Sequence, residues 1–199
     1  KDEIIDDEGN NMLIIQIFQK LDAQAKKVGG RVLGMVGNHE LMNVDRDFRY
    51  VSPKEFLEFV PQNERNIKKT KDGLPYGFYH RMKVFERGGN IAKHYALQKK
   101  SVILIGKNLF VHGGVSHQLM SKYSIHEINQ VVQKWLLKTC SEKEDKVFDE
   151  IFKNTGLNGT TDSLISYDMA LDTRQDPDEI ISVHQLSFTY MRRVNMLHR

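Results

Sequence analysis

The strongest constraint on this fold is that amphipathic helix patterns alternate with apolar runs short enough to be strands. Met12, Ile14, Ile15, Phe18, Leu21 and Ala25 recur at helical spacing, and Gly29-Gly30 stops that helix. The run Val32-Leu33-Gly34-Met35-Val36 then reads as a buried strand leading straight into Gly37-Asn38-His39-Glu40. Ser52-Pro53-Lys54-Glu55 is a capping box with proline at the first helical position, which predicts a short helix through Val60. Residues 61–75 are polar, with Pro61, Gly73 and Pro75, and read as a loop. A helical region over residues 76–98 is broken at Gly88-Gly89.

Val102 to Ile105 and Leu109 to Val111 read as two strands around a Gly106-Lys107-Asn108 turn, the second ending at His112-Gly113-Gly114. Ser124-Ile125-His126-Glu127 is a second capping box, opening a helix with Ile128, Val131, Val132, Trp135 and Leu136 on its buried side. Another helix covers about 143–153 and ends at Gly156. Asp176-Pro177-Asp178-Glu179 has the cap, proline and acid of a last helix, and Val194-Asn195-Met196-Leu197 begins a strand. Helices alternating with short strands predict an α/β layer architecture, and the length suits one domain over 1–199.

Composition narrows the function classes. The net charge of +3 comes from 29 basic and 26 acidic residues spread along the chain, a bias that suits a phosphorylated substrate but gives no argument for nucleic acid. The local concentration Arg65-Asn66-Ile67-Lys68-Lys69-Thr70-Lys71 reads as a solvated loop. One cysteine, Cys140, excludes an internal disulfide framework. No apolar run approaches the roughly 18 residues of a membrane span. The acidic start, Lys1-Asp2-Glu3-Ile4-Ile5-Asp6-Asp7-Glu8, lacks a signal-peptide core, so the expectation is a cytoplasmic protein without membrane contact. It also lacks an initiator methionine, which predicts a fragment.

Two motifs carry chemistry, and both sit where a predicted strand gives way to a loop. Ligands of open α/β sheets collect outside the carboxyl ends of strands. In Gly37-Asn38-His39-Glu40 the asparagine carbonyl is a hard oxygen ligand and the adjacent histidine can donate a proton or stabilise charge. In His112-Gly113-Gly114 the imidazole can bind a transition metal, and the glycines let backbone approach closely. Each motif alone also fits ordinary turn chemistry. Two of them in one α/β chain, each leaving an apolar strand, favour a site.

Val36-Gly37-Asn38-His39-Glu40 and Leu109-Phe110-Val111-His112-Gly113-Gly114-Val115 resemble two signature motifs of calcineurin-like metallophosphoesterases of the phosphoprotein phosphatase type. With Glu40-Leu41-Met42-Asn43-Val44 and Asp47-Phe48-Arg49-Tyr50-Val51 the chain is similar to the Shewanella-like phosphatase branch, from about residue 10 to about residue 120 and more loosely beyond. The resemblance implies a layered αββα sandwich and a site with two divalent cations, manganese, iron or zinc. It implies Asn38 and His112 as ligands of the second cation, His39 as the general acid for the leaving alkoxide, and Glu40 as the residue orienting it. The implied reaction is hydrolysis of a phosphorylated protein or small phosphoester by a bridging hydroxide that attacks phosphorus in line.

The family pattern is not complete in these 199 residues. Its Gly-Asp-x-His-Gly and Gly-Asp-x-x-Asp-Arg-Gly motifs find no match in residues 1–36, and its final Gly-His-Thr motif is absent. The segment Arg192-Arg193-Val194-Asn195-Met196-Leu197-His198 resembles the lead-in to that last motif, so the expectation is a chain truncated at both ends and weakly active or inactive as given. Where the family places a phosphate-binding arginine after tyrosine, Tyr167 is followed by Asp168, leaving Arg174 as the nearby candidate. His184 is a weaker candidate ligand, in a segment read as helix. Two other functions fit: a nucleotide or dinucleoside-polyphosphate hydrolase of the same fold, and a pseudophosphatase or binding module without the dinuclear centre.

Overall fold

A computed structural model describes residues 9–65, 70–106, 108–155, 157 and, for the backbone, 180–182. The elements run α1 (Asn11–Lys27), β1 (Gly34–Met35), α2 (Asn38–Val44), α3 (Pro53–Leu57), α4 (Phe78–Phe85), α5 (Asn90–Gln98), β2 (Lys99–Lys100), β3 (Val102–Ile105), β4 (Asn108–Val111), α6 (His117–Lys122), α7 (Ile125–Leu137), α8 (Glu142–Lys153) and β5 (Ile180–Ser182). Helices and strands are mixed as an α/β chain requires. Among the described residues, no helix is long and apolar enough to cross a membrane. Among the described residues two compact units form, one within Lys1–Gly34 and Met42–Lys93 and the other within Met35–Leu41 and His94–Arg199.

In the first unit, α1 begins on carboxylates supplied from beyond its own sequence. The Asn11 and Met12 N–H groups donate to Glu58 at 3.1 and 2.7 Å, meeting two of the orphan donors of a helix start. Ser52 and Glu55 form the expected capping box with Pro53 inside the first turn of α3. Buried Arg81 donates from Nε to Asn43 Oδ1 at 2.9 Å and from Nη1 to the Glu55 carbonyl, with its guanidinium carbon 4.4 Å from the Phe85 ring centre. Gly77 adopts φ +94° where a Cβ would fall 2.0 Å from the Phe56 carbonyl oxygen, so no side chain fits there.

The second unit positions the motifs. β3 and β4 pair antiparallel from Val102↔Val111 to Ile105↔Asn108, and β5 lies parallel to β4 with Leu109↔Ile180 and Val111↔Ser182. Asn129 of α7 fixes the start of β3: its Oδ1 accepts from the Ser101 and Val102 N–H groups, and its Nδ2 donates to the Val102 carbonyl. Val102, Val111, Ile128, Val132, Leu136 and Ile151 form the core between sheet and helices. Trp135 stacks on Phe148 at 4.2 Å between ring centres, joining α7 to α8. β1 pairs with β2, and beyond it the Val36 N–H donates to the Lys100 carbonyl at 2.9 Å.

Several local expectations change. The strand read over residues 32–36 narrows to Gly34–Met35, and the helix read through Val60 ends at Leu57. Gly37-Asn38-His39-Glu40 passes directly into α2 instead of a loop. α8 ends at Lys153, with the Asn154 side chain donating to the Glu150 carbonyl, so its stop precedes Gly156. The helix predicted to open at Asp176-Pro177-Asp178-Glu179 is overturned at Ile180–Ser182, which is strand β5. The β-branched pair Ile180-Ile181 suits an extended partner for β4 better than a helix turn. The strand predicted at Val194-Asn195-Met196-Leu197 lies outside the described residues.

Candidate functional site

Two strand ends bring the site together. β1 delivers Gly37-Asn38 and β4 delivers His112, so side chains 74 positions apart meet with His112 Nε2 and Asn38 Oδ1 3.0 Å apart. An amide oxygen only accepts, so a hydrogen bond in this contact requires the imidazole proton on Nε2. That nitrogen offers its lone pair to a cation once the proton leaves.

Gly37 makes the approach possible. A Cβ at Gly37 would fall 2.9 Å from His112 Cε1, 3.0 Å from His112 Nε2 and 2.9 Å from Glu40 Oε2. The two contacts at 2.9 Å are closer than real Cβ contacts allow and the third is tight, so a side chain at Gly37 would press on both the imidazole and the carboxylate.

Glu40 uses both carboxylate oxygens. Oε2 accepts from the Gly37 N–H at 2.8 Å, and Oε1 accepts from Lys99 Nζ at 2.7 Å. The Glu40 and Lys99 side chains are 26% and 21% exposed, shielded enough that their attraction is less screened than that of a surface pair. Burial pushes the Glu40 carboxyl up, but the Lys99 charge and hydrogen bond, with the Gly37 N–H, outweigh it and hold the group below the usual glutamate value. The Lys99 ammonium also lies 4.6 Å from the ring centre of buried Tyr95.

His39 is half-buried in the first turn of α2, between Asn38 and Glu40 in sequence. Arg174, His184, Tyr167 and Asp168 lie outside the described residues. Lys99 escapes a reading of the sequence, because it stands 59 positions from Glu40 in a Lys99-Lys100 pair that resembles any solvated charge.

The donor chemistry fits a divalent cation. Imidazole nitrogen and amide oxygen are both donors that divalent cations take, and here they lie 3.0 Å apart in direct hydrogen-bond contact. The pair supplies two ligands. Among the described residues, no group of three or more His, Cys, Asp and Glu side chains gathers to hold a metal by itself.

No known family profile matches the chain. Among curated proteins it is 34% identical over 146 residues to an uncharacterised protein of Acanthamoeba polyphaga mimivirus, covering 69% of this chain and 56% of that one. It is 29% identical over 160 residues to Shewanella-like protein phosphatase 2 of Arabidopsis thaliana, covering 67% and 41%. It is 28% identical over 145 residues to Shewanella-like protein phosphatase 1 of Plasmodium berghei, covering 73% and 36%. The chain therefore spans between about a third and just over half the length of these relatives. The solved cold-active protein-tyrosine phosphatase of a psychrophilic Shewanella species aligns over 92% of this chain and 47% of its own at 20% identity, with a TM-score of 0.45.

By its sequence matches, the chain is a homologue of protein phosphatases. Within them it is a relative of the Shewanella-like branch, the same branch that the motifs at Gly37-Asn38-His39-Glu40 and His112-Gly113-Gly114 resemble.

Proposed function

We propose that this chain carries part of the active site of a metal-dependent phosphomonoester hydrolase that acts on phosphoproteins, within a layered αββα sandwich. The observation that carries the reading is the meeting of Asn38 Oδ1 and His112 Nε2, 3.0 Å apart, beyond the ends of β1 and β4. Two divalent cations, manganese, iron or zinc, would when bound make a hydroxide available near neutral pH and neutralise phosphoryl oxygens. The residues do the rest. Asn38 Oδ1 and His112 Nε2 hold one cation, Gly37 leaves room for the imidazole, and Glu40 fixes the turn that presents Asn38 and His39. His39 acts as the general acid that protonates the leaving alkoxide oxygen. Arg174 is proposed as a phosphate contact. The family's other ligand motifs find no match in these 199 residues, so the chain as given is expected to turn over slowly at best.

Hydrolysis of p-nitrophenyl phosphate with manganese tests this, on the 199-residue chain and on a full-length relative carrying the same residues. In the full-length protein, His39→Ala should lower kcat by about 10²–10⁴-fold, the range of general acid catalysis, with manganese affinity held. If affinity collapsed while turnover per bound ion held, His39 would be a ligand and its assigned role wrong. Phosphopeptide hydrolysis in preference to dinucleoside polyphosphate supports the phosphoprotein substrate, and the opposite preference supports the nucleotide alternative. A full-length protein that binds no manganese and turns over nothing would be a pseudophosphatase or binding module.

A further inference from the structure

We infer that Lys99 is a positioning residue for the Asn38–His112 pair, acting through Glu40 on the Gly37 peptide. The proposal rests on the reading of that pair as a cation site, and it assigns a function to a lysine that no motif contains.

Three links connect Lys99 to the pair. Lys99 Nζ donates to Glu40 Oε1 at 2.7 Å. The other Glu40 oxygen accepts from the Gly37 N–H at 2.8 Å, and the Gly37 carbonyl accepts from the Leu41 N–H at 3.2 Å, so both polar groups of Gly37 are held. The next residue is Asn38, whose amide oxygen meets His112. Lys99 is also well anchored. Its neighbour Lys100 accepts the Val36 N–H, so β2 grips the segment by backbone at Val36 and by side chain at Glu40, on either side of Gly37-Asn38. The Tyr95 ring beneath the ammonium restricts it further.

Chemistry makes the link directional. Glu40 Oε2 lies 2.9 Å from where a Gly37 Cβ would be, and His112 Cε1 lies equally close to that point. Without the ammonium, a shielded carboxylate keeps the Gly37 N–H as its described partner and gains by turning toward water. Gly37 then loses its acceptor and the Asn38 backbone is no longer fixed against His112. An interaction of this kind, one shell out from a ligand, typically alters metal affinity by about 10–100-fold.

The test uses the 199-residue chain in two measurements. The first needs no metal: the His112 Nε2–H proton and ¹⁵N resonances report the bond to Asn38, assigned with His112→Gln. The second is Mn²⁺ affinity by calorimetry. Lys99→Met should shift or broaden the His112 resonance and weaken Mn²⁺ about tenfold, while Lys99→Arg restores most of both. Glu40→Gln should reproduce the Lys99→Met effect, and combining the two should add little. Should Lys99→Met fail to fold by circular dichroism, Glu40→Gln and Lys99→Gln carry the same comparison. An unchanged His112 resonance in folded Lys99→Met, or in its substitutes, overturns the inference. If His112→Gln binds Mn²⁺ like the parent, the cation reading fails, and the resonance still decides whether Lys99 positions the pair.

Discussion

At the scale of residues, Asn38 and His112 were legible as candidates because two motifs, each of which alone also fits a turn, both follow apolar strands in one chain. Their contact at 3.0 Å needed only the strand ends to meet. Gly37 was legible as part of the motif but not for its reason, since the crowding by Glu40 and His112 exists only once β1 and β4 are in place. Lys99 was illegible because nothing local marks a lysine whose partner lies 59 positions away. Arg81 is a similar case: an arginine in a helix reads as solvated, yet it is 1% exposed and satisfied by Asn43 and Glu55. The Gly37 geometry gives a direct prediction. Gly37→Ala forces a methyl to 2.9 Å from both a carboxylate oxygen and an imidazole carbon, so the Glu40 carboxylate and the His112 ring must give way. The expected cost is about 1–3 kcal/mol in urea unfolding, together with loss of the His112–Asn38 contact. A variant as stable as the parent with that contact intact would show that the site has slack the structure does not display.

At the scale of elements, capping chemistry was the most readable signal. The boxes at Ser52/Glu55 and Ser124/Glu127 open α3 and α7 as expected, and Ser141/Glu144 opens α8 in the same way. The mistaken element was the last one. Asp176-Pro177-Asp178-Glu179 carries helix-start signals, but the residues after it pair with β4, a partner about 70 positions back that local signals cannot announce. The apolar spacing of α1 correctly gave a helix but not its surroundings: Leu13, Ile14 and Phe18 stay more than half exposed, and Asp22 is its one buried residue among those described. The α8 start makes a pH prediction. Hydrogen bonding to Lys134, then to the Ser141 N–H and hydroxyl, lowers Glu144 from 4.5 to about 2. The folded value lies below the unfolded one, so the stabilisation is complete above about pH 4.5 and is lost as pH falls toward 2. Glu144→Gln should flatten the stability-versus-pH curve in that window and leave its shape above pH 5 unchanged. Parent and variant curves of equal slope between pH 5 and 2 would contradict the assignment.

At the scale of the whole molecule, the chain is similar in sequence to Shewanella-like protein phosphatases over about two thirds of its own length. The α/β class could be read from alternating patterns. The three-stranded order β3-β4-β5 could not, because it depends on a parallel pairing of distant segments. The central claim is that Asn38 and His112 share one cation, and a double-mutant cycle on Mn²⁺ affinity tests it most directly. Asn38→Ala and His112→Ala should each weaken Mn²⁺ by at least about tenfold, and the double variant should lose little more than the worse single one, since either change removes the same bound ion. Single variants that bind like the parent, or losses that simply add, would contradict a shared cation.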